Sequence, residues 1–249
     1  RKQWALALPL LALASLTKYT MAMLVARLLI AAWRTDGRRC LKPLAVGAAT
    51  SVALAVLAIK PFWAGPGTFA SLLNRGADRM AWSPATLLAS FFRGNQPLPW
   101  IISQTHEAEL AKWLTTGLFA AVYCYIAYRL WRGRDDLLTA SFYTFFFYLV
   151  IAAWWFFPGY VAPLVVLGGA LVSGRAATIA AIFSITSLFA HVIQGWPEIL
   201  FSGAVSPSVY GAMVALVFAP PVLYWLAGLP KPRWLLDTFA DPPPTPVGP

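Results

Sequence analysis

The sequence predicts an all-α, polytopic transmembrane helix bundle. Three observations carry that reading. Hydrophobic residues make up 59% of the 249, charged residues only 11%, and the mean hydropathy is +0.67. Soluble domains are about half apolar and about a quarter charged, so a soluble fold of this size would leave too much apolar surface in water. The apolar residues fall into runs near the ~20 residues that cross a bilayer as a helix. The formal charge of +10 comes from basic residues clustered between those runs, the pattern of topology signals and headgroup contacts rather than of a nucleic-acid surface.

The runs Pro43–Ile59, Trp113–Trp131, Thr139–Phe157, Ala176–Ile193 and Val209–Ala227 each approach a full span. Tyr160–Val172 is shorter and returns from a Pro158-Gly159 turn. The expectation is thus about six spans, plus one broken or kinked segment over Trp4–Trp33. As one straight helix that segment would measure roughly 45 Å at 1.5 Å per residue, longer than the hydrocarbon core. Lys18 sits at its middle, which leaves two readings: one kinked span, or a hairpin of two short helices meeting there.

Basic clusters at Arg34/Arg38/Arg39/Lys42, Arg129/Arg132/Arg134, Arg175 and Lys231/Arg233 occur at every second connection. By the positive-inside rule that side is cytoplasmic, as is the C-terminus, in an inner (plasma) membrane. Residues 1–230 form the transmembrane domain. Residues 231–249 form a cytoplasmic, proline-rich tail. The chain starts at Arg1 without signal-peptide features, and the expectation is the C-terminal part of a longer protein. The two cysteines, Cys40 and Cys124, lie far apart and imply neither a disulfide framework nor a metal site.

The external loop, residues 60–111, is long and aromatic. Phe69, Leu72, Leu73 and Met80 recur at helical spacing, with Arg75 and Arg79 at i and i+4 on another face. This predicts an interfacial amphipathic helix. Ser83-Pro84 is a helix start, with serine as cap and proline at the first position. Leu87, Leu88, Phe91 and Phe92 follow, for a second helix that dips into the membrane or packs on the bundle.

Lys18 is the sharpest single feature. A lysine between apolar stretches costs about 2.5–3.5 kcal/mol at mid-span on insertion scales. Either it binds an anionic group such as a lipid phosphate, helped by Thr17, Tyr19 and Thr20, or it snorkels from a helix end. Arg75 and Arg79 can clamp a phosphate with forked donors, or form a solvated face beside Asp78. Trp154, Trp155 and Tyr160 read as an aromatic belt, or as a wall for a sugar ring or isoprenoid chain. His106, Glu107 and Glu109 precede a span and suit proton transfer or a solvated turn. Their spacing fits no metal motif. No cofactor is called for. A divalent metal is compatible with the reading but has no support in the sequence. His191, with Gln194 one turn on, reads as a helix-packing residue.

Three stretches together resemble the GT-C superfamily of polytopic glycosyltransferases. Leu13-Ala14-Ser15-Leu16-Thr17-Lys18-Tyr19-Thr20 is similar to that family's L-x-K break. Pro61-Phe62-Trp63 with Gly65-Pro66 resembles the opening of its large external loop. Trp155-Phe156-Phe157-Pro158-Gly159-Tyr160 resembles its aromatic corner, with Gly159 where tryptophan is common. The resemblance implies a polyprenyl-phosphate sugar as donor and a glycan, lipid or protein acceptor on the extracytoplasmic face. It also implies an acidic base upstream of this chain, and Lys18, Tyr19, Arg75 and Arg79 as candidates for the lipid phosphate. Two other classes fit the residues alone: a secondary transporter, to which broken helices with an intramembrane lysine also belong, and a non-catalytic membrane scaffold.

Overall fold

The computed structural model describes residues 3–65, 67–68, 83–92, 106–171, 174–200 and 207–228, with the side chains of 190–200 and 207 outside the description. The expected interfacial helix with Arg75 and Arg79, the side chains of His191 and Gln194, and the proline-rich tail all lie outside the described residues.

Among the described residues the structure is helical and contains no strand. Its helices are α1 (Trp4–Thr17), α2 (Leu24–Asp36), α3 (Leu41–Ile59), α4 (Pro84–Phe92), α5 (His106–Trp131), α6 (Leu137–Phe147), α7 (Ala162–Ala170), α8 (Gly174–Leu200) and α9 (Pro207–Ala227). Three helical runs are long and apolar enough to cross a membrane: Tyr19–Phe62, His106–Trp131 and Ser208–Ala227. That is fewer than the six or so spans expected. The other apolar helices are 10–17 residues long over the residues whose side chains are described, which for α8 means Gly174–Phe189. One of them, cut short by a break, is the run expected over Thr139–Phe157. It passes from α6 into a π-turn, Tyr148–Ala152, and leaves helical geometry at Ala153. Trp154 to Phe157 are a corner, not the end of a span.

The first segment resolves as a hairpin. Lys18 is extended at φ −150° and ψ 106°, which stops α1 and starts a 3₁₀ turn, Tyr19–Met23, that leads into α2. The two legs close at their far ends, where the Trp4 indole Nε1 donates to Asp36 Oδ2 at 2.5 Å. Trp4, Leu8, Leu28, Ala31, Ala32 and Cys40 pack together at this closed end.

α1 lies along α3, and a proline and a glycine explain the fit. Pro9 has no N–H, so the Ala5 carbonyl four residues back loses its helical donor. Gly47 sits against that carbonyl. A Cβ on Gly47 would lie 3.1 Å from Ala5 O, 3.2 Å from Leu8 Cβ and 3.3 Å from Trp4 O. Small residues permit this kind of close helix approach in apolar surroundings. Gly47→Val is expected to cost about 1–3 kcal/mol through overpacking, and Gly47→Ala less. Thermal unfolding in detergent checks this. Wild-type stability in the valine variant would mean that α1 does not seat on α3 in this way.

The main core lies between α6, α7, α8 and α9 and is built from aromatic rings. Phe156 stacks on Phe183 at 5.8 Å between centroids and meets Phe218 edge-on at 4.8 Å. In α9, Pro221 leaves the Val217 carbonyl without its helical donor. Thr186 of α8 supplies one, its Oγ1 donating to Val217 O at 2.8 Å. The proline thereby becomes a tie between two helices.

The outward faces are apolar. Leu6, Leu10, Leu13 and Leu16 of α1 and Val52, Val56 and Leu57 of α3 are all exposed. On α5 the exposed tryptophans Trp113 and Trp131 stand 18 residues apart, about 27 Å along a helix. That is close to the ~30 Å of a hydrocarbon core with an aromatic belt at each edge.

Candidate functional site

The bundle has two chemically distinct ends. At one lie Asp36, Arg34, Arg38, Arg39 and the α5–α6 turn, joined by the Arg34 guanidinium. Its Nη1 donates to Leu130 O at 2.6 Å and to Asp135 O at 3.4 Å. The opposite end carries the tip of the α1–α2 hairpin, the aromatic corner and the start of α5.

At this second end Lys18 meets the corner. Its Nζ donates to the Gly159 carbonyl at 3.3 Å and stands 3.6 Å from the centroid of the Tyr160 ring. The attraction of an ammonium to a ring face adds to a long, weak hydrogen bond. Burial lowers the Lys18 pKa to about 8 from its ordinary value near 10.5. Tyr19 is largely exposed and lies close to Tyr148, at the start of the π-turn, and to Tyr160. Two expected binding residues, Lys18 and Tyr19, and one expected wall residue, Tyr160, therefore meet. Pro158–Val161 forms a 3₁₀ turn, which presents the Gly159 carbonyl and the Tyr160 ring side by side.

Trp154, another expected wall residue, also ties the corner to α4 through its backbone. Its carbonyl accepts from both Ser83 Oγ and Thr86 Oγ1 at 3.1 Å. Ser83 also caps α4, accepting from Thr86 N at 3.2 Å. The Ser-Pro start seen in the sequence thus exists, and α4 packs on the bundle. The Trp154 ring lies under Lys112 Nζ at 4.6 Å. Phe156, between the expected wall residues, is fully buried in the core. His106 is exposed and Glu107 half-buried on the first turn of α5, at the same end as Lys18. Among the described residues no group of three His, Cys, Asp or Glu side chains is placed to hold a metal.

Arg27 is the residue that the sequence reading passed over. It is fully buried on α2. Its Nε donates to Thr144 Oγ1 at 3.1 Å and its Nη2 to Tyr123 O at 2.6 Å, while its guanidinium lies 3.8 Å from the Tyr123 ring centroid. Tyr123 in turn donates to Met23 O at 2.7 Å. Nη1 is buried without a hydrogen-bond partner. Arg27 interrupts the apolar run from Leu24 to Trp33 just as Lys18 interrupts the longer one, so the insertion cost that singled out Lys18 applies to it equally.

No protein-family model, no curated protein and no solved structure matches this chain.

Proposed function

We propose that this chain is the lipid-phosphate-binding part of a membrane glycosyltransferase that takes a sugar from a polyprenyl-phosphate donor. The observation that carries the reading is the ammonium of Lys18 at a hairpin tip, held against the Gly159 carbonyl and the Tyr160 ring. An ammonium has three donors, and this one spends one of them on a long bond. An anion arriving at the tip would gain a charge-assisted bond there.

The positive-inside rule puts the Arg34/Arg38/Arg39 end on the cytoplasmic side, in a multi-pass arrangement of an inner membrane with the C-terminus cytoplasmic. The Lys18 tip is then extracytoplasmic, at headgroup depth, where a polyprenyl phosphate presents its charge. In transfer, the bond between the sugar C1 and the phosphate oxygen breaks and a bond from C1 to an acceptor hydroxyl oxygen forms. The acceptor proton goes to a base, and polyprenyl phosphate leaves with the electron pair of the broken bond. Lys18 would stabilise the charge that grows on the leaving phosphate. Tyr19 lies beside it as a hydroxyl donor. Arg75 and Arg79 are the further phosphate candidates, and His106 or Glu107 the proton-transfer candidates at the same end.

The test is sugar transfer by the full-length protein in nanodiscs, from a radiolabelled polyprenyl-phosphate sugar to a mixed glycan acceptor. Transfer that depends on the chain supports the reading. Absence of both transfer and polyprenyl-phosphate binding overturns it. A secondary transporter is the second reading, favoured by the fully buried Arg27 in an apolar bundle. Solute flux in proteoliposomes without sugar transfer would select it.

A further inference from the structure

We infer that the basic end of the bundle is a seat for an anionic phospholipid of its own leaflet, with two phosphates as the best-fitting headgroup. The site is separate from the Lys18 tip and stands whether or not the chain transfers sugar.

The charge balance at this end is uneven in a specific way. Among the described residues, its two turns and the helix ends that flank them hold seven basic residues (Arg34, Arg38, Arg39, Lys42, Arg129, Arg132, Arg134) and three acidic ones (Asp36, Asp135, Asp136). Each of the three carboxylates is engaged within the fold. Asp36 accepts from the Trp4 indole. Asp135 takes Arg129 through both oxygens at 2.8 Å. Asp136 caps α6, accepting from Thr139 N at 2.8 Å and Thr139 Oγ1 at 2.9 Å. Arg38, Arg39, Lys42, Arg132 and Arg134 are left exposed, and none of the three carboxylates serves them.

These five form two arms. Arg38 and Arg39 sit on the 3₁₀ turn Gly37–Cys40, with Lys42 on the first turn of α3. Arg132 and Arg134 sit on the turn between α5 and α6. Arg34 ties the arms together, its guanidinium packed 3.5 Å from where a Cβ on Gly133 would stand. That glycine adopts φ +76°, and a side chain there would crowd the tie.

A second observation sets the depth. Trp33 and Trp131, both exposed, stand at the ends of α2 and α5 beside the arms. Exposed tryptophans mark the headgroup level. Leu41 and Leu138, also exposed, give acyl chains an apolar surface just beyond the arms. A soluble anion would use the charge but not that surface. A diphosphatidyl lipid would use both, one phosphate on each arm.

Native mass spectrometry of the purified full-length protein tests this, with cardiolipin, phosphatidylglycerol, phosphatidylcholine and inorganic pyrophosphate as probes. Cardiolipin should be retained most strongly and phosphatidylcholine not at all. Neutralising one arm (Arg38→Gln, Arg39→Gln, Lys42→Gln) or the other (Arg132→Gln, Arg134→Gln) should each weaken cardiolipin binding at least threefold, and both together at least tenfold. Lys60→Gln, at the opposite end of α3, should leave binding unchanged. If the combined variant does not fold, the two single-arm variants decide. Unchanged cardiolipin binding in the arm variants overturns the proposal, as does an equal loss with Lys60→Gln. Pyrophosphate bound as tightly as cardiolipin would make the seat one for a soluble anion, and the lipid assignment would fall.

Discussion

Lys18→Met is expected to weaken polyprenyl-phosphate binding between ten- and a hundredfold while the protein still folds and inserts. Methionine keeps the length and most of the apolar stem, so packing against the Tyr160 ring survives in part. What goes is one charge-assisted hydrogen bond to the phosphate, worth about 1.5–3 kcal/mol, and every 1.4 kcal/mol is about tenfold. The pH dependence separates charge from packing. With the Lys18 pKa at about 8, binding should be full near pH 7 and fall as pH rises through 8. A bound phosphate favours the ammonium, so the midpoint should move upward at saturating ligand. Stability should move the other way. Burial makes the folded state hold this proton less tightly than the unfolded chain, where lysine titrates near 10.4. The cost is therefore fully present below pH 8 and is relieved between about pH 8 and 10.5. Lys18→Arg keeps its charge across that window, and its binding should lose the alkaline limb. Titration calorimetry with a short polyprenyl phosphate at pH 7 and pH 9.5 reads both effects. Wild-type affinity in Lys18→Met, or an unchanged alkaline limb in Lys18→Arg, would remove Lys18 from the phosphate site.

The cost of placing a charge in lipid made Lys18 visible in the sequence, and composition made the apolar helical class visible. The hairpin was not decidable from the same data. A segment of roughly 45 Å can tilt, kink or fold back. What decides is the contact of Trp4 with Asp36, 32 residues apart, and the match of Pro9 to the notch at Gly47. Neither contact has a periodicity to betray it. The corner shows the opposite limit. Its aromatic composition is plain, but belt, wall and core use the same residue types. Only packing distinguishes Phe156, stacked on Phe183, from Tyr160, turned to Lys18. The full span expected over Thr139–Phe157 failed for a related reason. Hydropathy reads through the π-turn at Tyr148–Ala152, because a change of hydrogen-bond register costs no apolar residue.

Arg27 supports a prediction that runs against the usual expectation for a buried charge. Removing a partner from a buried pair normally strands the other charge and costs several kcal/mol. Here the partners are a helical carbonyl and a hydroxyl. The Tyr123 carbonyl lies inside α5 and keeps its helical N–H. Thr144 Oγ1 still donates to Ala140 O at 2.7 Å when the guanidinium is gone. Nothing buried is orphaned by the loss, and the unpartnered Nη1 goes with it. Arg27→Met, which refills most of the volume, is therefore expected to leave stability within about 1 kcal/mol of wild type or to raise it. Arg27→Ala leaves a cavity between α2, α5 and α6 and should cost about 2–5 kcal/mol, the range for truncating a long core side chain. Unfolding in mixed micelles measures both. The pair of variants also bears on what Arg27 is for. If Arg27→Met is stable but loses sugar transfer or solute flux, the guanidinium is kept for function and its desolvation is a cost the fold carries elsewhere. If Arg27→Met destabilises as much as Arg27→Ala, the bonds to Tyr123 and Thr144 are themselves a principal tie of the bundle.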